Sequence, residues 1–423
     1  MQEELLHYLW KYGLYATNSL KTVNSQKVTV ISPGQLNHEA GPDFLFARIL
    51  ISGVTWVGDV ELHLRSSDWY RHHHETNPAY SAVILHVVAK YDQPVFRIDG
   101  KELPALILPV NPRYEENYRR IQSRPDLIPC AATIPYWPGL MLENLISRMG
   151  VERMEYKNAE INRLLHNNRG GWQETLMQLF FRAFGFGVNQ DNFEQLSRQI
   201  PWKVLQRCQS NLFRLEALLF GQAGLIPGRP DRDPYIKALR YEYHFLKKKY
   251  NLPIPTPVLW KFLRMRPANF PTVRLAQLAT ILHFNDGLME LALTRNGQFP
   301  IDCIHYYPSL YWRQHYHFNR LVSGTYKLPG KGTYTGLMIN ATLPFRACYA
   351  HAHDDPASRD TWMEILYHLP PEDNRISRLW LKSGVILNSA WQTQALFHLF
   401  RFYCREKRCL ACPAGHYLIR YGK

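Results

Sequence analysis

Two apolar, β-branched runs lie almost end to end near the N-terminus, Phe44 to Ile51 and Val54 to Leu64, parted only by Ser52-Gly53. A two-residue break with glycine between such runs folds as a β-hairpin, because glycine takes the positive φ that tight turns need. This hairpin commits the first third of the chain to a sheet, and its neighbours must supply the partners. Val28 to Ile31, stopped by Pro33-Gly34, reads as a strand, as do Ala82 to Ala89 and Val95 to Ile98, and Leu103 to Leu108 reads as a strand or loop. Glu3 to Tyr15 spaces Leu5, Leu6, Leu9, Trp10 and Leu14 at a helical period, and Ser66 or Ser67 can cap a short helix through Asp68-Trp69-Tyr70.

The stretch from Arg124-Pro125 to Trp137-Pro138 reads as a linker. Beyond it helical periods dominate: Leu140 to Leu165, Gln173 to Phe184, Phe193 to Ile200, Val204 to Gly221, Tyr235 to Tyr250, Val273 to His283 and Thr393 to Arg405, with a short β excursion expected near Gly324 to Met338. The expected fold class is α+β, an α/β core followed by a larger, mostly helical body. Three segments are expected: an α/β domain over 1–125, a basic helical domain over 126–298, and a mixed, then helical region over 299–423. A chain of 423 residues with 46% apolar side chains can fill such cores, which excludes disorder and small disulfide scaffolds. The start Met1-Gln2-Glu3-Glu4 lacks the basic opening of a secretory signal, and no apolar run reaches the ~18 residues of a membrane span. A cytoplasmic protein without a membrane partner is expected.

Charge divides the chain unevenly. Residues 1–135 hold 13 basic and 14 acidic side chains, whereas residues 136–423 hold 37 basic and 21 acidic ones. The excess predicts a polyanionic partner, DNA or RNA, for the helical body. Its densest points are Lys247-Lys248-Lys249, Arg264-Met265-Arg266, Arg274 and Arg405 to Arg408, interleaved with aromatics such as Tyr241, Phe245 and Trp260 that can stack on bases. No phosphate-binding loop or dinucleotide glycine fingerprint is present, which argues against an ATPase or a nicotinamide enzyme.

Chemistry concentrates on the hairpin. Pro42-Asp43 precedes its first strand, and Glu61-Leu62-His63 lies on its second. Carboxylates on adjacent strands can converge on one cation, and Glu61 and His63, two apart, project to one face. Asp43, Glu61 and His63 are therefore the expected catalytic and metal-binding residues, with Mg²⁺ or Mn²⁺ as the cation. Nearby, His72-His73-His74 invites zinc. Consecutive residues diverge, so one or two at most can join Glu61 and His63 in a nitrogen-rich shell. His86, inside an apolar strand, reads as a core histidine.

The order helix, strand, Pro-Asp on the next strand, then Glu-x-Lys on the third resembles the PD-(D/E)XK, or restriction-endonuclease-like, nucleases over residues 1–110. The resemblance implies a restriction-endonuclease-like core, Asp43 and Glu61 as metal ligands, Glu3 or Glu4 as a helix-borne acid, and phosphodiester hydrolysis of DNA or RNA. His63 stands where that pattern has lysine. Two other readings remain open: a non-catalytic nucleic-acid-binding scaffold that keeps the nuclease fold, and a zinc-dependent hydrolase of a small molecule. The strings Gly41-Pro42-Asp43-Phe44, Gly58 to His63 and Arg264 to Ala276 are also similar to those of an uncharacterised bacterial family of unknown function.

Cys404-x4-Cys409-x2-Cys412 supplies three thiols within nine residues, and Cys130 is the expected fourth ligand, with His416 the local alternative. C-x4-C-x2-C with a distant cysteine holds iron–sulfur clusters in plant-type ferredoxins, and a histidine fourth would favour zinc. The layout also resembles helicase- and CRISPR-associated nucleases that pin their nuclease domain with an early cysteine and a late trio. A structural zinc or iron–sulfur site is expected. Cys208, Cys303 and Cys348 read as buried apolar residues.

Overall fold

The computed structural model describes residues 1–228, 232–284, 288–293, 307–322, 330–355 and 361–422. The chain divides into two compact units, residues 1–136 together with 400–423, and residues 137–399.

The first unit opens with helix α1 (Glu3–Lys11), followed by strands β1 (Val28–Ser32), β2 (Gln35–Leu36), β3 (Phe44–Ile51) and β4 (Val54–Arg65). A short helix α2 (Asp68–Arg71), strands β5 (Val83–Lys90) and β6 (Ala105–Ile107), and helix α3 (Pro112–Gln122) complete its N-terminal part. The sheet runs β1-β3-β4-β5-β6, with β2 also on β3. β1, β3 and β4 are antiparallel neighbours, whereas β4, β5 and β6 are parallel. A parallel neighbour needs a crossover, and residues 66–82 supply it. Trp69 and Tyr80 of that crossover pack with Val83, Val95 and Leu103 into a buried cluster. Val95 to Ile98, expected as a strand, gives only the isolated bridge Phe96 to Glu102, because the turn closed by Gly100 N donating to Arg97 O reverses the chain too soon.

The hairpin register is set by a bulge. From the turn, Ile51 pairs with Val54 and Ala47 with Gly58, but Phe44 pairs with Val60, so β3 carries one extra residue between. Phe46, exposed and at φ 57°, lies in that bulge, and its N donates to Asp59 Oδ1 at 3.1 Å. The second half of β4, Val60 to His63, is buried on both faces.

Residues 400–423 return to this unit. Asn117 Nδ2 of α3 donates to Ile419 O and Gly422 O of the C-terminal helix (Pro413–Tyr421), both at 3.1 Å. Lys407 Nζ donates to Gln122 O and Arg124 O at the carbonyl end of α3. Sequence reading placed this segment with 299–399 because docking of this kind leaves no local pattern.

The second unit is mostly helical. Its longest helix, Gly139–Asn167, packs on Ala390–Leu399 across Gly150, where a Cβ would meet the Trp391 ring at 2.1 Å. The single helix expected over Val204 to Gly221 is two, Trp202–Cys208 and Leu212–Gln222, because Asn211 caps the second by accepting from Arg214 N at 3.1 Å. Residues 331–337 of the expected β excursion are helical, and 323–329 lie outside the described residues. Short strands occur instead at His315–His317 and Arg320–Leu321. Among the described residues no helix is long and apolar enough to cross a membrane.

Candidate metal centre

The bulged register puts Asp43 opposite Glu61. Asp43 N donates to Glu61 Oε2 at 3.0 Å, and Leu62 N donates to Asp43 Oδ2 at 2.9 Å. Glu61 is only 4% exposed. Burial, then the charge of Asp43, pushes its carboxyl up to about 9.

Helix α1 brings Glu3 and His7, one turn apart on the same face, to these acids. His7 Nε2 lies 3.2 Å from Asp43 Oδ2. Burial pulls the His7 imidazole down, but the hydrogen bond and charge of Asp43 outweigh it and the net shift is upward. Glu3 is half-buried and raised by burial, with His7, Asp43 and His72 all acting on it, while Glu4 is exposed.

Histidines close the other side. His63 Nε2 lies 3.5 Å from Glu61 Oε1 and 3.1 Å from His72 Nδ1, and His74 Nε2 lies 3.3 Å from the same Glu61 oxygen. The intervening His73 takes a left-handed φ of 59° and points to solvent, which lets its two neighbours share the site. His63, His72 and His74 offer ring nitrogens all within 4.8 Å of one another. Ligands about 2.0–2.1 Å from a tetrahedral ion stand roughly 3.3 Å apart, which matches these separations. His63 Nδ1 lies 2.9 Å from His86 Nε2, so the buried His86 orients the ring behind the site. Burial and the neighbouring histidines lower His63 to about 2, and burial, then His74, lowers His86 to about 3, leaving both neutral with a lone pair available.

Such a shell of nitrogen and carboxylate suits Zn²⁺ or Mn²⁺ better than Mg²⁺, which favours oxygen. His72 is exposed and Asp43 and His7 are partly so, so one side of the cluster is open to solvent. Sequence reading named Asp43, Glu61 and His63 but missed His7. Its only signal was a helical spacing from Glu3. Of the other polar residues near the strand ends, Asn37 serves the backbone, its Nδ2 donating to Pro42 O at 3.0 Å.

Cys130, Cys404, Cys409 and Cys412 come together around one small cavity of the first unit. His416 packs instead on the rings of Tyr8 and Tyr12. Cys208 and Cys348 are buried, and Cys303 lies outside the described residues. In the helical unit Lys248, Lys249, Arg264 and Arg266 are exposed and Lys247 partly so. Arg274, expected on that basic surface, is instead buried. Its Nη1 donates to Gln277 Oε1 at 2.9 Å and its Nη2 to Asn269 Oδ1 at 2.7 Å, and it lies 4.2 Å over the Phe186 ring.

Fold and site together define an α+β protein with a half-open histidine–carboxylate cluster on a mixed sheet. The chain belongs to the family described as protein of unknown function (DUF2851), whose model matches residues 3–375 and so spans the whole cluster. No curated protein and no solved structure matches it.

Proposed function

We propose that this protein is a metal-dependent hydrolase of phosphodiester bonds in DNA or RNA, with Asp43, Glu61 and His63 at its centre and His72 and His74 completing the shell. The observation that carries the reading is a trio of imidazole nitrogens within 4.8 Å of one another, with Glu61 Oε1 3.5 and 3.3 Å from two of them and Asp43 hydrogen-bonded to Glu61 across the hairpin. A divalent cation held there would acidify water and neutralise charge developing on a phosphodiester. The chain's own groups hold the geometry: His86 fixes the His63 ring, His7 pairs with Asp43, and the strand amides fix both carboxylates. An N-terminal helix, antiparallel strands bearing the acids, and a parallel strand beside them support likeness to a PD-(D/E)XK core. With His63 in the lysine position, Mn²⁺ or Zn²⁺ is expected to support activity better than Mg²⁺. The exposed Lys248, Lys249, Arg264 and Arg266 supply phosphate-binding charge. The reading places the protein in the cytoplasm.

Labelled DNA and RNA incubated with purified protein and Mg²⁺, Mn²⁺, Zn²⁺ or EDTA test this reading. Cleavage that needs metal and disappears in Asp43→Ala and Glu61→Ala supports it; undiminished cleavage in both variants overturns the site. The histidine trio favours one second reading, a zinc-dependent hydrolase of a small molecule, which cleavage of small esters but not nucleic acid would indicate. Binding without cleavage would leave the non-catalytic scaffold.

A further inference from the structure

Four thiols drawn from positions 130 and 404–412 share the wall of one cavity, beside Ile121 and Leu418. Apolar packing alone does not call for this, since leucine or valine would fill the space better than four small sulfurs. The loop that carries three of them is built at a backbone cost. Lys407 takes a left-handed φ of 50°, and a Cβ at Gly415 would meet Cys409 O at 1.9 Å, so only glycine lets the C-terminal helix approach the loop. Hydrogen bonds from Lys407 Nζ to Gln122 O and Arg124 O anchor that loop to the segment leading to Cys130. The thiols are thus positioned by the fold.

The cavity and the order of the cysteines point to the occupant. The four sulfurs line a cavity, so they enclose a space. A cluster needs such a space, because iron and sulfide stand between the cysteines. The order C-x4-C-x2-C with a distant fourth cysteine is also a ligand spacing used for iron–sulfur clusters. We propose that Cys130, Cys404, Cys409 and Cys412 bind an iron–sulfur cluster that staples the returning C-terminal segment to the chain after α3. Each thiol gives up its proton on ligating iron, and no cysteine sulfur is oxidised. The proposal is independent of the hydrolase reading.

The test is a metal inventory of the full chain purified without oxygen, and again after anaerobic incubation with ferrous iron and sulfide. Iron and acid-labile sulfide in equal amounts, with a broad visible absorption bleached by dithionite, are expected. Cys130→Ser and Cys404→Ser should each lower bound iron at least ~10-fold, the scale of changes outside the immediate ligand set, while Cys208→Ser keeps it. Stoichiometric zinc without sulfide, or a folded wild-type chain that takes up neither iron nor sulfide, overturns the proposal. The wild-type inventory decides even if a serine variant does not fold.

Discussion

Asp43 and Glu61 hold one another across the hairpin: the Asp43 amide donates to Glu61 Oε2 at 3.0 Å, while the Asp43 carboxylate accepts from the amide that follows Glu61, Leu62 N, at 2.9 Å. Each carboxylate is therefore fixed by the strand that bears the other. This leaves Glu61 Oε1 beside His63 and His74. The acids are preorganised by backbone, so a cation does not have to assemble them.

Asp43→Asn tests this separation of structure from charge. The amide oxygen can still accept from Leu62 N, so stability should change by no more than about 1 kcal/mol in urea unfolding. Affinity for Mn²⁺ or Zn²⁺, measured by calorimetry, should fall at least ~10-fold, with loss of any metal-dependent cleavage. Unchanged affinity would remove Asp43 from the site.

In EDTA the cluster should impose a stability optimum on pH. Glu61, raised to about 9 from 4.5, keeps its proton when folded and loses it when unfolded, so its contribution is full below pH 4.5 and is lost as the pH rises toward 9. His63 and His86, lowered to about 2 and 3 from 6.5, act in the opposite sense: the unfolded chain gains protons below 6.5 that the folded chain refuses. Two histidines outweigh one carboxyl between pH 4.5 and 6.5, so the cluster's contribution peaks near 6.5. Thermal melts should show the alkaline decline vanish in Glu61→Gln. A decline that persists in that variant contradicts the assignment.

Phe46 sits in the β3 bulge at φ 57° with its ring largely exposed. Phe46→Gly should stabilise the protein by about 0.5–1 kcal/mol because glycine takes that conformation freely. Phe46→Val should destabilise it by about 1–2 kcal/mol, since a β-branched residue resists it. Denaturant midpoints of the two variants give the comparison, and equal midpoints would show that the bulge carries no such strain.

Basic residues of the helical unit should separate into two behaviours. Reversing Lys248 and Lys249, or Arg264 and Arg266, to Glu should leave stability within about 0.5 kcal/mol while weakening nucleic-acid binding and flattening its salt dependence. Arg274→Ala should instead cost about 1–3 kcal/mol, because the buried Gln277 loses the hydrogen bond it accepts from Arg274 and the Phe186 ring loses its packing against the guanidinium. Filter binding across salt concentrations, paired with melts, distinguishes them. Full affinity in both reversed pairs would place nucleic acid elsewhere.

Local pattern carried much of this architecture. The strands Phe44–Ile51 and Val54–Arg65 and the helix Trp172–Phe184 follow from period and turn residues, which act over a few positions. His7 was not legible, because one histidine on an amphipathic helix says nothing of the sheet that helix will cover. Arg274 was misplaced for a related reason: a basic residue in a basic stretch does not announce that its partners are side chains three and five positions away.

By itself the chain's order of residues determined that a hairpin would carry Asp43, Glu61 and His63, and that three cysteines would crowd one turn. Only the tertiary structure decided that these groups meet. Counted straight from the Ser52-Gly53 turn, Asp43 would fall opposite Leu62 and on the wrong face; the bulge at Phe46 moves it opposite Glu61. Likewise, Cys130 reaches Cys404, Cys409 and Cys412 because the C-terminal helix docks on α3. Register and docking are settled by long-range packing and hydrogen bonds, which depend on residues far apart in the chain.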